Sequence, residues 1–145
     1  MKKMVKIAMA SLTLSLIVSV MTIKADGFTG VFGIKLPSLS KLTTLTNYQV
    51  TKVNDYLEQK YYNTGVTAVF GGDYLPLKVR TKNVDTNSIS QFLTLNEKQT
   101  GVWKANSANI NYFAGKYVLQ MKTGKSTVWG GNHSGLWYYD VEPVS

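Results

Sequence analysis

Few residues in this 145-residue chain could do covalent chemistry, and their types exclude more than they offer. His133 is the single histidine and there is no cysteine. Thiolate catalysis, cysteine-ligated metals and any multi-histidine zinc centre therefore fall away, and the sequence calls for no metal and no cofactor. A Ser-His-Asp relay would have to join His133 to Asp140 and one of many serines, and no nucleophile-elbow sequence supports it. Set among Gly130, Gly131 and Asn132, His133 reads as a surface residue of a turn. Paired-carboxylate hydrolysis would draw on Asp26, Asp55, Glu58, Asp73, Asp85, Glu97, Asp140 and Glu142. Most of these stand in turn-like or terminal contexts, where Asp serves backbone hydrogen bonding. The chain reads as a non-enzyme, with hydrolysis its weakest alternative.

Two groupings point to binding instead. Lys78, Arg80 and Lys82 alternate with Leu77, Val79 and Thr81, and the period of two places three cations about 6–7 Å apart on one strand face. Such a stripe suits the phosphates of wall polymers or anionic lipid headgroups. Its plain structural alternative is a solvated outer face that keeps an edge strand from pairing. The second grouping is aromatic. Trp103, Trp129, Trp137, Tyr138 and Tyr139 gather late in the chain, with Tyr112 and Phe113 close by. Exposed, such rings stack on sugars or seat in a lipid interface; buried, they fill a core. Trp137 is expected in the core. Trp103 and Trp129 join the cationic stripe as candidate binding residues.

The chain must first deliver these residues to the right compartment. Lys2, Lys3 and Lys6 precede an apolar run over residues 7–23, and Lys24-Ala25 gives way to Asp26, the first acid. This is the layout of a secretory signal peptide over residues 1–25, leaving a domain over 26–145. A run of about seventeen residues covers roughly 25 Å, short of a bilayer core of about 30 Å. With no cysteine there is no site for a lipid anchor. The whole chain holds 16 Lys and Arg against 8 Asp and Glu, and four of those lysines lie in the leader, so the mature part is only about +4. That balance fits an anionic wall polymer or membrane surface and is too mild for nucleic acid. A body of this size buries a single core without disulfides.

Alternation predicts the elements. Residues 28–36 form a first strand, with Phe28, Phe32, Ile34 and Leu36 on one face and Pro37 ending it. Residues 39–50 read as irregular, because Thr43, Thr44 and Thr46 interrupt the leucine spacing. Further strands are expected over 56–62, 65–70, 75–82, 88–95, 102–103, 117–121, 126–129 and 135–141, separated by Gly, Asn and Asp turns. Tyr117, Leu119 and Met121 face inward, opposite Lys116, Gln120 and Lys122, making this the strand around which the fold is organised. Short strands with frequent turns predict an all-β, single-domain antiparallel β-sandwich or small barrel.

The strand Lys116-Tyr117-Val118-Leu119, a Gly/Asn turn and the closing Ser134-Gly135-Leu136-Trp137 with Asp140 resemble a family of small secreted proteins of Gram-positive bacteria, which also open on an aromatic-rich strand like residues 28–36. The resemblance implies export and an all-β fold and carries over no functional residue. Together these features predict a secreted, non-enzymatic binding module of the bacterial cell envelope. An exported cationic antimicrobial or bacteriocin-like protein acting on membranes is the alternative. No oligomeric state is legible.

Overall fold

A computed structural model describes residues 25–55, 57–104 and 113–141. Residues 1–24, which hold most of the expected signal peptide, and residues 56, 105–112 and 142–145 lie outside them. The described residues form nine strands: β1 (Ala25–Leu36), β2 (Thr43–Thr44), β3 (Val50–Lys52), β4 (Glu58–Ala68), β5 (Leu77–Asn83), β6 (Leu93–Leu95), β7 (Gln99–Trp103), β8 (Gly115–Thr123) and β9 (Gly131–Val141). They build two antiparallel sheets, ordered β1-β9-β4-β7 and β2-β8-β5-β6, with β3 extending the β2 side of β8. The chain is a β-sandwich. Short 3-10 turns at Ser38–Ser40 and Thr46–Tyr48 break up the threonine-rich segment that reads as irregular in the sequence.

The core lies between the sheets. Tyr117, Leu119 and Met121 of β8 and Leu77 and Val79 of β5 meet Val31, Tyr61, Val66, Trp103 and Trp137 of the first sheet. Tyr117, Leu119 and Met121 are completely buried, as their alternation predicts. Both buried indoles keep a polar partner: Trp137 Nε1 donates to Gln59 Oε1 at 2.9 Å and Trp103 Nε1 to the Gln91 carbonyl at 3.1 Å.

Several elements differ from the sequence reading, each for a local reason. In β1 the register slips between Val31 and Ile34, where Gly33 takes φ +64. The extra residue switches faces, so Val31 and Leu36 are buried while Phe28 and Phe32 stand outward. Residues 56–62 and 65–70 are not two strands: Asn63-Thr64 looks like a turn but is a bulge, and β4 runs through it. Of residues 88–95, only the last three form a strand; Ile89 makes a single bridge and is exposed. Residues 126–129 form a loop, and the expected turn at 130–133 is the start of β9.

Candidate binding surface

Strand β5 alternates fully buried and half-buried residues along its whole length, which turns Lys78, Arg80 and Lys82 onto the outer face of the second sheet. The strand is internal to the sheet, held by β8 on one side and β6 on the other. The stripe therefore guards no edge. Pairing adds to it what the sequence could not. Lys122 stands directly across from Lys78, Gln120 from Arg80, and Val118 from Lys82. Like charges directly opposed across a ladder destabilise it. Among the described residues, no carboxylate lies within ion-pair distance of any of these cations.

The surface is ordered by contacts that hold charge without cancelling it. Arg80 Nε donates to Gln120 Oε1 at 2.8 Å, and Gln120 Nε2 donates on to Thr44 Oγ1 at 3.0 Å. The Arg80 guanidinium lies 4.5 Å and the Lys122 ammonium 5.1 Å from the centre of the Phe92 ring. The ring's negative face thus draws two cations together. Beside Lys82 the face dips into a groove of about 180 Å³ lined by Thr44, Thr46, Gln49, Val84, Asn87 and Val118. Cations, hydroxyls and amides around a shallow groove can hold phosphate or carboxylate oxygens.

The other sequence candidates lie elsewhere. Trp103 is corrected to a core residue: its ring is fully buried on the inner face of β7. Trp129 is exposed on the loop between β8 and β9, so the structure does not bring it onto the basic face. Trp137 is in the core as expected. Lys122 had a visible signal in the alternation of β8, but Phe92 and Thr44 join the face only through non-local pairing.

His133 is the clearest correction. It is 1 % exposed, and its neighbours are Tyr61 and Gly65. The Gly65 carbonyl can only accept, so His133 Nδ1 carries the proton it donates across 2.9 Å. Nε2 then accepts from the Tyr61 hydroxyl at 2.6 Å. With both nitrogens engaged, the ring has no free position for a relay with Asp140, whose carboxylate is bound to Lys52. Loss of water around the ring pushes the His133 pKa down to about 4, against a smaller upward pull from the Gly65 bond. An unfolded chain binds the proton near pH 6.5, so between pH 6.5 and 4 it holds more protons than the folded one and stability falls with acidity. Full protonation withdraws about 3 kcal/mol. Urea midpoints taken at pH 7 and pH 4 are expected to show this drop, with the His133→Gln variant showing a flatter profile.

Among the described residues, no cluster of three or more His, Asp or Glu side chains is placed to hold a metal ion. No family model matches the chain. No curated protein matches it either. Among solved structures, it is similar to the infectious bursal disease virus VP2 subviral particle (11 % identity, TM-score 0.38), covering 78 % of this chain and 33 % of that one. It is also similar to the EclA C-terminal domain, a sugar-binding protein (18 % identity, TM-score 0.32), covering 78 % of this chain and 76 % of that domain. A third similar structure is the Clostridium thermocellum endo-1,4-beta-D-xylanase 10B CBM22-1-GH10 modules complexed with xylohexaose (14 % identity, TM-score 0.31), covering 80 % of this chain and 27 % of that one. The chain thus spans about a third of the first of these and about a quarter of the third.

Proposed function

We propose that this chain is a secreted, non-enzymatic binding module of the bacterial cell envelope that holds phosphate-bearing anionic material along the outer face of β5 and β8. One observation carries the reading: Lys78 opposes Lys122 beside Arg80 and Lys82, with no carboxylate in ion-pair range among the described residues. A protein that leaves cations opposed in this way gains when an anion bridges them. The spacing of about 6–7 Å along the strand is close to that between phosphates of an extended phosphodiester polymer.

The test is retention on isolated cell walls. Each Lys or Arg near an anionic surface contributes about 1 kcal/mol, so changing Lys78, Arg80 and Lys82 together to Gln should weaken binding about a hundredfold. Raising salt should weaken the parent protein progressively. Walls stripped of phosphate polymer and vesicles of anionic lipid, run in parallel, separate the two sources of phosphate. Retention of the triple variant at the parent level removes the proposal. Dye release from anionic vesicles by the parent protein, without wall retention, would favour a membrane-acting toxin instead.

A further inference from the structure

A second surface lies at the end of the sandwich where β1, β4 and β8 finish. Three loops, residues 37–42, 69–76 and 124–130, meet there. Leu39 N donates to the Thr127 carbonyl at 2.7 Å and Val69 N to the Gly130 carbonyl at 3.3 Å. Phe70 packs edge-on against Trp129 with ring centres 5.0 Å apart and planes at 61°. These contacts brace the loops without burying their apolar side chains. Val128 is 67 %, Phe70 and Trp129 64 %, and Leu39 59 % exposed, and Leu42 and Val69 are exposed beside them.

Backbone conformations that are rarely adopted maintain this presentation. Leu39 and Ser40 take φ of 59 and 52, left-handed values uncommon for residues with a side chain. They are secured by the Leu39 amide bond and by a 3.1 Å hydrogen bond between the Ser40 and Thr123 hydroxyls. Gly130, next to Trp129, takes φ +75 with its Cα against the Leu36 carbonyl, where a Cβ would collide. Held in a strained arrangement that exposes apolar groups, this tip fits a partner surface better than it fits water.

Charge decides which partner. Lys41 and Lys125 are exposed on the same loops, and Lys78 and Lys122 lie one residue inside the adjoining strand ends. The loops carry a single carboxylate, Asp73. A second copy of the chain would have to bring two such lysine rings together. An anionic lipid surface accepts both parts at once, aromatics among the headgroups and lysines at phosphate level. We propose that this tip docks the protein on anionic membrane, with Phe70 and Trp129 seated in the headgroup region and Leu39 and Val128 beneath it. The docking does not rest on wall binding by the basic face.

Trp129 reports directly, because Trp103 and Trp137 are fully buried. The purified protein is titrated with phosphatidylglycerol-containing vesicles and with pure phosphatidylcholine vesicles. Anionic vesicles should shift the emission to the blue, protect it from acrylamide, and expose it to quenching by brominated acyl chains. Phe70→Ser and Trp129→Ser should each lower partitioning, read by vesicle flotation, by roughly tenfold or more while urea midpoints stay unchanged. Emission and acrylamide access that stay constant at lipid excess overturn the proposal. So does a blue shift that grows with protein concentration in the absence of lipid, which assigns the tip to a second copy. Retention of both Ser variants on walls, alongside lost flotation, shows that the two surfaces act separately.

Discussion

Replacing Asp140 with Ala should destabilise the protein by about 3–5 kcal/mol, the range for breaking a buried ion pair by removing one partner. The carboxylate accepts the Lys52 ammonium at 3.1 Å, the Val53 amide at 3.0 Å and the Asn54 amide at 3.2 Å. It therefore ties the end of β3 and the loop that follows it to β9, joining the two sheets. Lys52 is buried and donates also to the Asn54 carbonyl, a neutral acceptor that would not balance its charge. Burial already pushes the Lys52 pKa down, against upward pulls from Asp140. Without the carboxylate that opposition weakens, and the ammonium gives up its proton more readily. The deficit of Asp140→Ala should thus narrow as pH is raised toward 10. Changing Asp140 to Leu and Lys52 to Met together should recover much of the loss, because no unpaired charge stays inside. Urea denaturation measures both variants. A loss below about 1 kcal/mol for Asp140→Ala would show that water reaches Lys52 freely.

The second large effect is at Tyr117. Its ring is fully buried in β8, between Val50 of β3 and Asn83 of β5 in the ladder. Its hydroxyl donates to the Phe113 carbonyl at 2.8 Å, and burial raises its pKa. Tyr117→Ala removes the ring from a site that cannot close easily around the gap, and about 3–5 kcal/mol is expected. Tyr117→Phe keeps the volume and forgoes the hydroxyl contact, at about 1 kcal/mol. The difference between the two variants separates packing from hydrogen bonding. An Ala variant within about 1 kcal/mol of the parent would mean that β8 is not the strand on which the second sheet depends.

The strands that could be read from sequence were those whose pleat matches a one-sided burial. In β5 buried residues alternate with Lys78, Arg80 and Lys82 without interruption, and in β8 Tyr117, Leu119 and Met121 face the core as their spacing predicts, although Val118 and Gln120 on the other face are also covered. In β1 the alternation is broken by the bulge at Gly33, and Phe28 and Phe32, the most conspicuous residues of the pattern, are those turned outward. His133 illustrates a different limit. Glycine and asparagine around it signal a turn, yet Gly131 and Gly135 are buried in β9, each where a Cβ would press on β4. Small residues there serve close packing and not a turn. Trp103 and Trp129 carry the same side chain with opposite burial, because one ends a paired strand and the other a loop. The cationic stripe was visible, but its depth was not. Lys122 and Phe92 reach it through ladder pairing and packing between segments far apart in sequence, which no local pattern encodes.

The most direct test of the basic face as the binding surface is backbone amide shift mapping during titration with poly(glycerol phosphate). Binding there predicts salt-sensitive, saturable shifts concentrated at Lys78, Arg80, Lys82, Gln120 and Lys122, with Thr44 and Asn87 following at the groove. Shifts scattered over the surface, or absent from β5 and β8 while the polymer binds, would contradict it.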